Sequence, residues 1–238
     1  TVITGNPGTG KTTLAKIIGQ IYISLGICTN NKFISAKRSD LIGRYLGETA
    51  IKTQKVIDSS LGGILFIDEA YSLGNSSKNT SDTYSKECID TINQNLSEKS
   101  ENFICILAGY EEDMDSCFFN QNSGLRRRFQ WQYKISNYSI IELKEILLQK
   151  IYNSSWIIYE TDFLNKWIET KNDSFKNQGG DMELLFIKIK IAHSRRVFGL
   201  PFKYKKILIE LDFNEGYKLY LENIKKDKSC PIIYNMYS

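Results

Sequence analysis

The sequence predicts an α/β fold. A mainly parallel five-stranded sheet lies between helices over residues 1–136, followed by a smaller, mostly helical domain over 137–228 and a tail over 229–238. Three observations predict it. A glycine-rich stretch, Gly5-Asn6-Pro7-Gly8-Thr9-Gly10-Lys11-Thr12-Thr13, stands between the apolar Val2-Ile3 and a helix-spaced apolar series. Two short runs, Ile64-Leu65-Phe66-Ile67 and Phe103-Ile104-Cys105-Ile106-Leu107-Ala108, are apolar at every position, as strands covered on both faces of a parallel sheet are. Segments with apolar residues three and four apart alternate with these runs, so strand follows helix follows strand.

The chain opens on a strand ending near Ile3. The glycine stretch fits G-x-x-x-x-G-K-[ST], a loop whose backbone N–H groups cradle phosphates. Its glycines let the backbone approach phosphate oxygens closely. The following helix turns its free N–H groups and positive dipole end toward the same anion. Lys11 supplies a mobile charge for the β- and γ-phosphates, and Thr12 a hydroxyl for Mg²⁺. Leu14, Ala15, Ile17, Ile18, Ile21, Tyr22 and Leu25 carry the helix to about Gly26. Lys32 to Ala36 reads as a second strand. Asp40 to Thr49 reads as a loop in which Gly43 and Gly47 bracket Tyr45 and Leu46. Tyr45 either grips a partner from an exposed loop or packs beneath it. A helix over 50–60 leads to the strand Ile64–Ile67. Asp68 and Glu69 stand at that strand's carboxyl end, where parallel sheets bind ligands. Asp68 is placed to hold Mg²⁺, directly or through water, beside Thr12. Glu69 is placed to orient and deprotonate an attacking water.

A polar stretch from Gly74 to Asp82 precedes a helix marked by Tyr84, Cys88, Ile89, Ile92 and Leu96. The strand Phe103–Ala108 ends at Gly109-Tyr110, and a short helix over 111–119 follows. Arg126, Arg127 and Arg128, taken alone, read as a solvated surface. Phe129, Trp131, Tyr133 and Ile135 alternate with polar residues, which predicts a last strand with one buried face. Beyond Asn137, Ser139 caps a helix, Phe163, Leu164, Trp167 and Ile168 mark another, and a long helix runs from Gly179 to about Phe198. The lone His193 has no metal-ligand neighbours and reads as structural. Ile207–Ile209 reads as a short strand, and Asp212 as the cap of a final helix.

Composition narrows the class. With 42% hydrophobic and 24% charged residues the chain has globular composition, and its net charge of +4 is too mild to point to nucleic acid. Five widely spaced cysteines without a C-x-x-C pair argue against a disulfide framework or zinc site and for a reducing, cytoplasmic location. No apolar run has transmembrane length, so no membrane partner is expected. Because a strand begins at once, the chain reads as a piece whose natural N-terminus lies upstream.

In order, G-N-P-G-T-G-K-T-T, D-L-I-G-R-Y-L-G-E-T-A, G-G-I-L-F-I-D-E-A-Y-S-L, L-A-G-Y and G-L-R-R-R-F resemble the AAA+ ATPases. The branch is the one that includes red-type rubisco activase and stage V sporulation protein K. The resemblance implies a P-loop NTPase fold with a helical lid, and an ATP- and Mg²⁺-dependent ring of identical chains, usually a hexamer, that remodels a protein substrate. It implies that Tyr45, Leu46 and Gly47 form the substrate-gripping pore loop. It also implies that Arg126 and Arg128 are arginine fingers reaching a neighbour's γ-phosphate, which reverses the bland reading of the arginine run. Three departures stand out. Ser123 replaces the usual Pro after Asn122, Tyr110 lies near the polar sensor-1 position, and Glu183 stands where the lid helix usually carries a phosphate-sensing Arg. Glu183 is then expected to point away from the nucleotide, with Arg195 or Arg196 either stabilising the lid in its place or standing as surface residues. Two other readings stand beside the remodelling motor: a nucleic-acid motor or clamp loader, and a nucleotide-switched scaffold that hydrolyses little.

Overall fold

The structure, a computed structural model, describes residues 1–45, 47–74, 83–99, 103–122, 124–201 and 204–229. Leu46 of the expected pore loop, Ser123, residues 75–82 of the polar stretch and residues 230–238 of the tail lie outside the described residues. The chain divides into two compact units, Thr1–Asn137 and Tyr138–Ser238.

The first unit is built on five parallel strands: β1 (Val2–Gly5), β2 (Phe33–Ala36), β3 (Ile64–Ile67), β4 (Ile104–Gly109) and β5 (Gln132–Ile135), in the spatial order β2-β3-β4-β1-β5. Side chains of successive strand residues point to opposite faces, and the two cores divide accordingly. Val2, Leu65, Ile67, Cys105 and Leu107 face one side. There they meet Leu41 of α2 (Arg38–Leu41), Ile57 of α3 (Glu48–Ser60) and Cys88, Ile89 and Ile92 of α4 (Thr83–Glu98). Ile3, Ile64, Phe66, Ile106 and Ala108 face the other side, against Ala15, Leu14 and Ile18 of α1 (Lys11–Ser24). A sheet covered on both faces by helices explains why β3 is apolar at all four positions.

Three expectations in this unit need correction. The stretch Asp40–Thr49 is not all loop: α2 ends at Leu41 and α3 begins at Glu48, leaving a six-residue connector, 42–47. Gly47 adopts φ 83°, which a β-carbon would strain, and the Glu48 carboxylate accepts the N–H groups of Arg44 and Tyr45 at 3.2 and 3.3 Å. These contacts pull the helix start two residues forward. The last strand also lacks the expected continuous buried face. Phe129 is buried, but it precedes β5, while Trp131 and Tyr133 are 65% and 42% exposed. Among the described residues β5 is an edge strand, with a strand neighbour only in β1. The short helix expected over 111–119 is a composite of α5 (Glu111–Asp113), a π turn (Met114–Phe118) and a 3-10 turn (Phe119–Gln121), followed by α6 (Leu125–Arg128).

The second unit holds α7 (Ile140–Asn153), α8 (Leu164–Glu169), α9 (Gln178–Arg196) and α10 (Glu210–Ser229) around a core that includes Leu147, Trp167, Met182, Ile189, Phe213 and Tyr220. Ser139 caps α7 with the reciprocal Ser139–Glu142 pair. The short strand β7 (Ile207–Leu208) finds a parallel partner, β6 (Ile157–Ile158), that the sequence does not announce. Asp212 does not precede α10 as its capping residue: it lies within the helix's first turn and accepts the N–H of Ile209, the residue before the helix, at 3.0 Å. Its carboxylate also receives Arg196 at 2.7 and 2.9 Å and faces His193 Nδ1 at 3.3 Å. His193 is buried; Nε2 accepts the Lys206 N–H at 3.3 Å, and Nδ1 also lies 3.1 Å from the Arg196 guanidinium. His193 is thus a structural residue. Among the described residues no helix is long and apolar enough to cross a membrane, no group of His, Cys, Asp and Glu forms a metal cluster, and the cysteines are unbridged.

Candidate active site

The strand order decides which loops meet. Ligand crevices in parallel sheets open at the carboxyl ends of strands. Here β4 lies between β1 and β3, so the segments after β1, β4 and β3 stand side by side in that order. After β1 comes the glycine loop. Gly8 and Gly10 adopt φ 72° and 85°, a region that L side chains rarely enter. A β-carbon on Gly5 would lie 2.9 Å from both Ile135 O and Thr9 Oγ1. Thr9 is buried and its hydroxyl donates to Asn6 O at 2.8 Å, which pins the turn from inside. Asn6 Nδ2 in turn donates a hydrogen bond to Asn137 Oδ1 at 2.8 Å. Asn6, Pro7, Gly8, Thr12 and Thr13 remain exposed.

Lys11 Nζ donates to the carbonyls of Gly5 and Asn6 at 2.9 Å each and lies 4.8 Å from the centroid of the Tyr110 ring. Partial burial lowers its pKa, and the charges of Asp68 and Glu69 oppose that shift. Thr12 Oγ1 donates to Asp68 Oδ2 at 3.1 Å, although the two residues are 56 positions apart. Asp68 Oδ1 accepts the Glu69 N–H at 3.1 Å. Glu69 is exposed and sits at φ 51°, an uncommon conformation for a residue with a side chain, at the start of the 3-10 turn Ala70–Leu73. The donor set fits a magnesium nucleotide: oxygen ligands from Thr12 and Asp68, one cation, and a loop that a β-carbon would block.

Other expected site residues have partners outside this cluster. Arg126 is exposed, paired with Asp115 at 2.6 Å and set 5.0 Å from the Phe119 ring. Arg128 donates to Asn93 Oδ1 at 2.8 Å. Tyr45 is 69% exposed. In the second unit Glu183 pairs with Lys150 at 2.9 Å, and the hydrogen bond from Lys150 holds its carboxyl below the usual range. Arg196 is committed to Asp212 and the Ile207 carbonyl, so it serves that unit's own packing.

Two aromatic residues adjoin the site: Tyr110, already marked by its place near the expected sensor-1 position, and Tyr71, which carries no sequence signature for chemistry. Tyr110 follows β4 and stacks on Tyr71, with ring centroids 5.3 Å apart and planes 26° apart. The signal lies in Gly109, where a β-carbon would approach Met114 to 2.7 Å and Tyr71 Cδ1 to 3.1 Å.

A family profile described as "ATPase family associated with various cellular activities (AAA)" matches residues 1–137. The chain is 41% identical over 229 residues to the putative cfxQ-like protein R730 of Acanthamoeba polyphaga mimivirus, covering 95% of this chain and 56% of that one. It is 45% identical over 147 residues to stage V sporulation protein K of Bacillus subtilis, covering 62% and 44% of the two chains. It is 39% identical over 145 residues to the ESX-1 secretion system protein EccA1 of Mycobacterium tuberculosis, covering 61% and 25%. The chain therefore spans between a quarter and about half of the length of these relatives.

Proposed function

The chain belongs to the AAA family of ATPases, and we propose accordingly that it hydrolyses ATP to ADP and phosphate in a closed ring of identical chains that remodels a polypeptide substrate. The observation that carries the chemistry is the Thr12–Asp68 contact, with Lys11 and Glu69 at its two ends. The backbone N–H groups of residues 8–12 receive the phosphate oxygens, and Lys11 exchanges its two carbonyl partners for the β- and γ-phosphates. Thr12 and Asp68 are the residues that would hold Mg²⁺, which when bound neutralises charge on the phosphate oxygens. Glu69 orients a water and accepts its proton as the water oxygen bonds to the γ-phosphorus. The bond from that phosphorus to the β–γ bridging oxygen breaks, and the electron pair leaves with ADP.

Arg126 and Arg128 complete the site in the neighbouring copy, where a cation offsets charge on the γ-phosphoryl group. Their present partners support this use. One bond to an exposed Asp115 and one to Asn93 are exchangeable at an interface. Tyr45 is the residue proposed to grip the substrate. A sporulation protein and a secretion protein are named among the relatives, so the substrate is proposed only as a polypeptide. The mild charge argues against nucleic acid, and the chemistry fits a reducing cytoplasm.

Glu69→Gln tests the chemistry. The amide cannot accept the proton, so turnover is expected to fall about 10²-fold or more, with the ATP dissociation constant within twofold of the parent. Parental turnover in that variant would overturn the assignment. A parent that binds ATP but hydrolyses almost none would favour the scaffold reading instead.

A further inference from the structure

We propose that Arg38, the first residue of α2, is a positioning residue that holds the backbone of Glu69 in the conformation that aims its carboxylate at the water. The inference deepens the function proposed above and rests on its assignment of Glu69 as the base. Glu69 sits at φ 51°, a left-handed conformation that persists for a residue with a side chain only where its surroundings fix it. Its carbonyl accepts the Ser72 N–H at 2.8 Å and so closes the 3-10 turn Ala70–Leu73 onto it. Whatever holds that turn therefore holds Glu69.

The turn has anchors at both ends and along one side. At its start the Asp68 N–H donates to the Ala36 carbonyl at 3.2 Å, joining the ends of β3 and β2. At its end Gly74 lies so close to the Cys117 carbonyl that a β-carbon would collide with it. Ala70 and Leu73 are fully buried, and residues three apart eclipse in a 3-10 turn, so they make one line of contacts. Such contacts fix the depth of the turn but leave it able to roll about its axis. Arg38 opposes the roll: Nη1 donates to the Ser72 carbonyl and, at 3.2 Å, to Oγ of Ser85, which is buried on α4.

Strand order brings Arg38 to the turn. β2 lies beside β3 with Ala36 opposite Ile67, so α2 and the turn leave the sheet side by side. α2 is itself held: the Thr53 hydroxyl donates to the Leu41 carbonyl at 3.0 Å in the buried core, and the Arg38 carbonyl accepts the Ile42 N–H at 2.9 Å. The guanidinium then bears on Ser72 from a fixed base. Its planar donors and its charge make each bond stronger and more directional than a neutral group would. Without it the turn rolls, Glu69 relaxes toward the ordinary right-handed region, and its carboxylate leaves the line of the water. Lys11, on α1, takes no part in this turn, so nucleotide affinity is separable from the aim of Glu69.

That separation is the test. The 238-residue chain, Arg38→Met, Arg38→Lys and Glu69→Gln would be compared for phosphate release, for ADP affinity by calorimetry and for amide hydrogen exchange at Ser72 by NMR. Arg38→Met keeps a stem of similar length and removes the donors. It is expected to lower kcat about tenfold or more, as misplacement of a reacting group does, with the ADP dissociation constant within about twofold. The Ser72 amide is expected to exchange roughly tenfold faster or more, a readout of the turn that does not depend on turnover. Arg38→Lys, which keeps a charged donor, is expected to recover most of the lost kcat and protection. Should Arg38→Met fail to fold, Arg38→Gln, too short to reach Ser72, is expected to show the same changes. Parental kcat or parental Ser72 exchange in the variant without the donor, equal defects in Arg38→Met and Arg38→Lys, or ADP affinity lost in step with kcat would each overturn the role of Arg38 while Glu69→Gln stays inactive. Glu69→Gln at the parental rate would overturn that role together with the reading beneath it.

Discussion

Lys11 shows how much of the site rests on single residues. It is partly buried, its pKa lowered by that burial, and satisfied only by two carbonyls and a ring face. An anion is a better partner than any of these. Lys11→Ala removes charge-assisted bonds of about 1.5–3 kcal/mol, so ATP affinity is expected to fall roughly 10- to 100-fold, as titration calorimetry would read. Its role is legible in the sequence because loop, lysine and hydroxyl are contiguous. Asp68 and Glu69 are legible because an all-apolar strand precedes them. The stacking of Tyr71 on Tyr110 beside Lys11 is not, because it follows from β4 lying between β1 and β3, and strand order is a tertiary fact. Asp212 illustrates the same limit: its position suggests a cap, but its partners come from α9. Burial raises its carboxyl, yet bonds from Arg196, the Ile209 N–H and His193 outweigh that and hold it below the usual range. A depressed folded pKa means that this stability is present above the ordinary carboxylate value of about 3.9 and is lost as pH falls through the folded value. Asp212→Asn is expected to remove that acid limb and to cost about 3 kcal/mol at neutral pH, since it strands a guanidinium. Denaturant titrations at pH 7 and in acid, followed by the emission of Trp156 and Trp167, would check both.

At the level of elements, periodicity locates strands and helices well wherever one face is buried, and boundaries fail where side chains bond the backbone. The start of α3 depends on the Glu48 carboxylate and the φ of Gly47, neither of which a hydrophobic pattern records. Strand β6 escapes notice because two residues carry no period. The cap of α7 is readable, since Ser139 and Glu142 have the spacing of a reciprocal pair. Ser139→Ala is expected to cost about 1 kcal/mol. The packing of α9 against α10 is less forgiving. A β-carbon on Gly216 would lie 2.7 Å from the Ile189 Cα, which is backbone and does not yield by rotating a side chain. Gly216→Ala, favourable by helix propensity, is therefore expected to destabilise the second unit by about 1–3 kcal/mol, read as a lower denaturant midpoint. Stabilisation instead would show that the two helices pack less closely than described here.

For the whole molecule, the proposed account joins a hydrolytic site within one chain to a cation from the next. Lys11, Thr12, Asp68 and Glu69 supply binding, metal ligands and a base, but none places a positive charge on the far side of the γ-phosphate. Arg126 and Arg128 stand on the α6 segment leading to β5, exposed and bonded to the exchangeable partners Asp115 and Asn93. A contact of this kind is heterologous, and its repetition closes a ring. Activity per chain is then expected to rise with protein concentration. Arg128→Ala is expected to lower turnover by up to about 10³-fold with nucleotide affinity little changed. The most direct measurement is ATP turnover by Arg128→Ala alone, Lys11→Ala alone, and the two mixed under conditions where chains exchange. The account predicts two inactive proteins and partial recovery on mixing, at interfaces that pair an intact glycine loop with an intact arginine. No recovery in assemblies shown to be mixed, or full turnover by a proven monomer, would contradict it.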